Sequence, residues 1–496
     1  MRESGILLPI SSLPSQYGIG CFSKEAYEFV DQLALANQKY WQILPLGPTS
    51  YGDSPYQSFS TYAGNPYFID LNTLIEEGVL TKKECNLADF GSDSRFIDYG
   101  KLYKARYKLL RKAYERSNIS QNPEFQTFQE ENAWWLDDYS LFMAVKGFFQ
   151  DECWDKWPED IKKRYGYALD YYREQLYFEV EFQKYMQFEF SIQWKKLKTY
   201  ANENGIRIIG DIPIYVAYDS ADTWAHPELF QLDEENVPLA VAGCPPDGFA
   251  ADGQLWGNPL YRWDYHRQTG YAWWMQRLSY AFYLYDVVRI DHFRGFDEYF
   301  SIPYGNTTAR NGHWEKGPGI ELFHRMKEVL GERDVIAEDL GYVTDSVRQM
   351  VFESGFPGMK VFEFAFDSRD TGCAGDYLPH NYPVNSVVYT GTHDNATLIG
   401  WYQDIPKEGR EMLRDYIHDY TTSDHSLHWS VICRVMGSPA RICMIPMQDY
   451  LGLDNTCRIN TPSTLGTNWK WRLLDGEFTS DLQNKIKKLV RIYQRN

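Results

Sequence analysis

Eight short runs of largely β-branched and aromatic residues recur along the chain, with helical apolar patterns between many of them. The runs are residues 5–10 (GILLPI), 40–46 (YWQILPL), 207–216 (RIIGDIPIYV), 287–296 (VVRIDHFRGF, an apolar start that breaks into charge), 334–340 (DVIAEDL), 359–366 (MKVFEFAF), 386–394 (SVVYTGTHD) and 440–448 (ARICMIPMQ). Nearly continuous apolar character fits strands of a parallel sheet, which are buried on both faces. Helical spacing marks 24–37, 271–285, 321–330 and 410–420 between them, and 481–491 reads as a last helix. Eight strands in β/α alternation favour a (β/α)8 barrel over an open doubly wound sheet. No GxGxxG or Walker loop speaks for the latter.

At 496 residues the chain exceeds the roughly 250 of one such barrel by about as much again. The excess falls in two places. Residues 71–202 carry amphipathic patterns with aromatic stripes, Phe125, Phe128, Trp135, Leu136, Tyr139, Phe142 and Met143, then Phe178, Phe182, Tyr185, Met186, Phe188 and Phe190. They read as the inter-helix core of a mainly helical subdomain inserted after strand two. Residues 217–266 are polar and dense in Gly, Pro and Trp, and 243–259 within them reads as a lid-like loop. The expected division is 1–70 for the first part of the barrel, 71–202 for the helical insertion and 203–496 for the remainder, with no C-terminal β-sandwich.

A net charge of −18 with no basic patch argues against nucleic acid. The eight cysteines form no CxxC pair and no zinc-like spacing, so reduced thiols and no metal are expected. No stretch reaches the roughly 18 apolar residues of a membrane span and none resembles a signal peptide, which places the protein in the cytoplasm, away from membranes. Aromatic residues reach 17%, with 16 Trp and 38 Tyr, and flat rings with a polar edge suit a sugar.

Asp211, Asp291, Glu338, Asp367 and Asp394 all fall at the C-terminal ends of predicted strands, which gather at the functional face of a parallel barrel. Clustered carboxylates repel, so they serve stability poorly. Arg289 and Asp291 are two apart and share a strand face, so the guanidinium is expected to hold Asp291 ionised. A structural ion pair at a strand end is the plainer reading of those two residues. Two chemistries want such a cluster: glycoside transfer by a nucleophile and a general acid, or divalent metal binding. His292 and His393, flanked by Trp- and Tyr-rich loops, weigh towards the sugar. Spacing alone does not choose Glu338 over Asp339, or Asp394 over His393.

The chain resembles the 4-α-glucanotransferases of the amylomaltase, or disproportionating-enzyme, type in glycoside hydrolase family 77. The resemblance runs nearly end to end, through Ser11-Ser12-Leu13-Pro14-Ser15, Gly52-Asp53-Ser54-Pro55-Tyr56-Gln57-Ser58, Gly64-Asn65-Pro66-Tyr67 and Gly210-Asp211-Ile212-Pro213. It continues in Gly253-Gln254-Leu255-Trp256-Gly257-Asn258-Pro259, Arg289-Ile290-Asp291-His292-Phe293-Arg294-Gly295, Ala337-Glu338-Asp339-Leu340-Gly341, Gly391-Thr392-His393-Asp394-Asn395 and Asn460-Thr461-Pro462. It implies Asp291 as nucleophile, Glu338 as general acid/base and Asp394 as transition-state stabiliser. It further implies Asp211, Arg289 and His393 as donor-sugar contacts, Tyr56 as an aromatic platform, and Trp256, Asn258 and Asn460 as acceptor-side or loop contacts. Malto-oligosaccharides and other α-1,4-glucans are the implied substrates, with glucose as an acceptor and no cofactor. The segment 248–252 departs from the family's pattern and bears on acceptor preference. An α-amylase-type hydrolase would use the same three carboxylates with water as acceptor.

Overall fold

Eight parallel strands close into a barrel in strict chain order: Glu3–Leu7, Tyr40–Gln42, Arg207–Ile212, Val287–Ile290, Val335–Ala337, Gly358–Val361, Ser386–Tyr389 and Ile442–Pro446. This computed structural model describes residues 2–50, 52–246, 251–341, 343–366 and 374–496. The seam is the pairing of the first and last strands, from Glu3 opposite Ile442 to Leu7 opposite Pro446. Each of the eight predicted runs contributes one strand, but the strands are shorter than the runs. The third ends at Ile212 because Pro213 has no N–H to give to the ladder. The sixth passes at Phe362 into a 3-10 turn, Phe362–Ala365, which is buried by packing and so reads as strand in an apolar pattern. Asp367, at the end of that run, lies outside the described residues.

Amphipathic helices cover the barrel. Lys24–Leu35 buries Ala26, Phe29, Val30 and Leu33, the positions its spacing marks, and Glu321–Leu330, Ala272–Leu284 and Ser480–Tyr493 fall within a few residues of their predicted spans. Between the second and third strands the described residues make seven α-helices, from Leu71–Glu76 to the long Tyr177–Glu203. Phe188 of that long helix meets Phe125 and Phe128 of Pro123–Phe148 edge-on, with ring centres 5.4 and 5.6 Å apart. The aromatic stripes thus serve mostly as inter-helix core, although Phe178 stays 44% exposed. Gln187 ties the long helix to the loop after the second strand by donating to the Gly64 carbonyl (2.9 Å) and accepting from its N–H (2.7 Å).

The stretch after the third strand differs from a patternless loop. Ala240–Cys244 and Gln254–Pro259 pair antiparallel and join Glu298–Pro303 and His313–Lys316 in a four-stranded sheet beside the barrel mouth. Its pairs span distant parts of the chain, and Leu255 and Trp314 stay partly exposed, so no clean in–out alternation marks it in the sequence. Residues 247–250, which hold most of the divergent segment, lie outside the described residues.

One glycine of the third strand sets the barrel's spacing against its helices. A methyl group on Gly210, one residue before Asp211, would stand 2.1 Å from the ring of Tyr285. Gly210→Ala should therefore lower stability by about 1–3 kcal/mol through overpacking, read as a drop of several degrees in melting temperature.

Candidate active site

The fourth strand carries Arg289 into the barrel mouth, and its guanidinium is almost wholly buried. Nη1 donates to both oxygens of Asp211 at 2.8 and 2.7 Å and to Asp291 Oδ1 at 3.0 Å. Asp211 and Arg289 face each other because the third and fourth strands pair in register, residue 211 opposite 289. Asp211 also accepts from the Tyr56 hydroxyl at 2.7 Å, and its side chain has no accessible surface. The Tyr56 ring lies nearly parallel to that of His393, 5.2 Å away and tilted by 16°. Trp469 packs on both rings.

Glu338 stands one residue past the fifth strand. Its Oε2 accepts from the His292 N–H at 2.7 Å and its Oε1 from the Leu340 N–H at 3.0 Å. His292 can present its amide this way because it adopts the left-handed conformation, at φ 50°, a rare choice for a residue with a side chain. Asp339 points elsewhere, accepting from the Met359 N–H at 2.7 Å, so the geometry separates the two neighbours that spacing leaves equal. Asp394 lies five residues beyond the seventh strand, with Oδ1 held by the Asn460 amide at 2.6 Å and Oδ2 facing His393 Nε2 at 3.3 Å. Arg458 donates to the carbonyls of Asp394 and Asn460.

Burial raises Asp291 to about 6, opposed by Arg289 and reinforced by Asp211 and Asp394. That corrects the expectation that Arg289 holds it low: the same Nη1 serves Asp211 twice, and burial outweighs the share left over. Burial likewise raises Glu338 to about 7, opposed by Arg289 and the two backbone N–H donors and aided by Asp291. Burial would raise Asp394 too, but His393, Asn460 and Arg289 outweigh it and hold it well below the usual carboxylate range. Burial pulls His393 down, and the neighbouring Asp394 more than restores it. The three carboxyls thus differ in proton affinity, with Asp394 held low and Asp291 and Glu338 raised together towards neutrality as a coupled pair.

Two of the remaining expected residues reach the site less directly. Asn258 is buried in the side sheet, donating to the Val216 carbonyl (3.0 Å) and accepting from Gln57 (3.1 Å). Trp256, on the same strand, sets its ring edge-on to His292 at 4.9 Å. Sequence reasoning passed over the His292 amide, Arg458 and Trp469. The first lay inside a quoted motif and the second two residues before another, whereas nothing in the sequence marks Trp469. Among the described residues, no group of three or more His, Cys, Asp and Glu side chains is arranged to hold a metal ion. Among them, too, no helix is long and apolar enough to cross a membrane.

Against known proteins, the profile of glycoside hydrolase family 77, described as 4-alpha-glucanotransferase, matches residues 8–477. The chain belongs to that family. It is 50% identical over 488 residues to the 4-alpha-glucanotransferase of Clostridium butyricum, covering 98% of this chain and 99% of the relative. The enzyme of the same description from Thermus thermophilus is 45% identical, covering all of this chain and 99% of the relative. The crystal structure of amylomaltase from Streptococcus agalactiae in complex with acarbose superposes with a TM-score of 0.96 at 40% identity, covering both chains entirely. The activity of this glucanotransferase is the transfer of 1,4-α-glucan segments, and the barrel mouth just described is its candidate site.

A reaction in which Asp291 works ionised and Glu338 works protonated has a narrow pH window in this 4-α-glucanotransferase. As pH falls through about 6, Asp291 takes up its proton, and as pH rises through about 7, Glu338 gives its proton up. The profile of kcat/KM with maltotriose should therefore be a bell with both limbs in the near-neutral range. A basic limb displaced beyond pH 9 would remove Glu338 as the proton donor.

Proposed function

We propose that this glucanotransferase works by a retaining double displacement at the barrel mouth, with Asp291 as nucleophile, Glu338 as general acid/base and Asp394 as the stabiliser of the transition state. The observation that carries the reading is the different setting of three carboxyls at one barrel mouth, Asp291 on the Arg289 guanidinium, Glu338 on two backbone N–H groups and Asp394 between Asn460 and His393. An attacking carboxylate must be ionised, an acid must hold its proton near neutrality, and a group stabilising positive charge must stay anionic throughout. Asp291 attacks the anomeric carbon while Glu338 protonates the departing glycosidic oxygen, giving a covalent glycosyl-enzyme. Glu338 then takes the proton of an acceptor's 4-hydroxyl, and the sugar leaves Asp291 for that oxygen with its α configuration retained.

In this reading Arg289 and His393 border the donor sugar, and Asp211 reaches it only once the Tyr56 hydroxyl has moved off it. Asn460 acts through Asp394, and Asn258 by holding the strand that bears Trp256. Malto-oligosaccharides serve as donors, and these or glucose as acceptors, in the cytoplasm, with no part for nucleic acid or membrane. We assign residues 71–202 to the helical insertion and 1–70 with 203–496 to the catalytic barrel.

Asp291→Asn, Glu338→Gln and Asp394→Asn should each lower kcat by several orders of magnitude without unfolding the protein, measured as the chromatographic ladder formed from maltotriose. Any of the three keeping more than about a tenth of the wild-type rate would lose its role, since that is a loss of only about 1.4 kcal/mol.

Transfer must also outrun hydrolysis. Water is at about 55 M and an acceptor glucan near millimolar, a handicap of nearly five decades or roughly 6 to 7 kcal/mol. The strand Gln254–Pro259 is placed to lessen it, because Trp256 lies against His292, whose amide holds Glu338. An apolar cover there excludes water until an acceptor docks. Trp256→Ala should raise the ratio of glucose released by hydrolysis to glucan transferred while total turnover falls. An unchanged ratio would put the shield elsewhere.

A further inference from the structure

Asp449 takes no part in the site as described, yet it is 1% exposed and its two oxygens serve the two ends of one segment. It sits on the short helix Met447–Leu451, directly after the eighth strand. Oδ2 accepts from the Thr390 hydroxyl at 2.5 Å, at the first residue past the seventh strand. Oδ1 accepts from the Leu398 N–H at 2.8 Å, where the next helix begins. Between those anchors lie His393 and Asp394. The segment is braced further at Asn395, whose Oδ1 accepts from the N–H and hydroxyl of Thr392 at 2.9 and 2.8 Å. Asn455 takes the Thr397 N–H at 3.1 Å. Beneath, the chain passes so near Glu363 that a methyl on Gly391 would stand 2.9 Å from its Oε1.

We propose that Asp449 is a positioning residue for Asp394: by bracing both ends of the 390–398 segment, it sets where the Asp394 carboxylate meets the reacting sugar. The inference rests on the role given to Asp394 above. A carboxylate suits the task because it accepts at both oxygens, whereas an amide in its place accepts at one only. Both hydrogen-bond partners are neutral, so burying this group is costly, and an apolar side chain would fill the space at less cost if packing were all that mattered. Misplacement of a catalytic group by about 1 Å is enough to lose about 100-fold in rate.

The test is a set of variants assayed with maltotriose. Asp449→Asn should lower kcat by about 10- to 100-fold with KM changed less than about 3-fold, because the lost contact concerns the transition state and not ground-state binding. Thr390→Val, which removes one anchor without altering a buried charge, should act in the same direction, and Thr390→Ser should stay near wild type. This Thr390 pair carries the test if Asp449→Asn fails to fold. In an Asp394→Asn background, Asp449→Asn should cost no more than about 2-fold further, since its effect passes through a group already removed. Losses that multiply in the double variant, or an undiminished kcat in both Asp449→Asn and Thr390→Val, would overturn the proposal. An Asp394→Asn single variant of near wild-type rate would instead remove the role of Asp394 on which it stands.

Discussion

The site depends on one buried guanidinium. Arg289 enters the barrel mouth from the fourth strand and binds carboxylates on its own strand and on the third, so two strand ends and three charges are fixed by one group. Arg289 and Asp211 are all but sealed from water, so neither charge is tolerable alone, and removing one partner of such a pair costs about 3–5 kcal/mol; Asp291 keeps 27% of its side chain exposed. Burial lifts the Asp291 carboxyl above the ordinary range, and Arg289, a cation shared between two anions, offsets that lift only in part. Arg289 therefore places Asp291 and favours its ionised form together, against the burial that raises both Asp291 and Glu338.

The rest of the site is held by backbone geometry more than by charge. Glu338 is gripped by two N–H groups, one from a residue in the left-handed conformation directly after Asp291, so Glu338 and Asp291 are positioned by the same turn. Asp394 comes from a long excursion past the seventh strand and is tied by Asn460 and His393. Strand ends deliver residues only as far as the rim, and hydrogen-bonded turns carry them the last few ångströms. This is why loops of a rigid barrel are the usual seat of its chemistry.

The barrel was legible in the sequence because each strand is short, apolar on both faces and separated from the next by amphipathic helices, all of which are local signals. The motif around Asp291, and those carrying Glu338 and Asp394, were legible as long family signatures. What stayed hidden was non-local. The side sheet pairs Ala240–Cys244 with Glu298–Pro303, about sixty residues away, and lies partly in solvent, so neither periodicity nor burial announces it. The pull of Arg289 on Asp291 could be read from their spacing, but its competitor Asp211 is 78 residues off. A pKa is set by everything around a group, of which the sequence shows only its neighbours.

That side sheet also gives the transferase a route for linking cover and chemistry. Gln254–Pro259 is anchored at Asn258 to the Val216 carbonyl and to Gln57 of the loop that bears Tyr56, so it shares its footing with the donor side of the site. Two residues earlier on the same strand Trp256 meets the ring of His292, whose N–H is a ligand of Glu338. The strand is thus linked to Glu338 through one aromatic contact and one hydrogen bond. Among the described residues His292 Nε2, which is buried, has no hydrogen-bond partner, and the imidazole is kept neutral by burial and by nearby Arg294, with its pKa lowered to about 3. A neutral ring against Trp256 adds no charge beside Asp291 and Glu338, so under the proposed double displacement the contact can carry position without changing how those two carboxyls hold their protons.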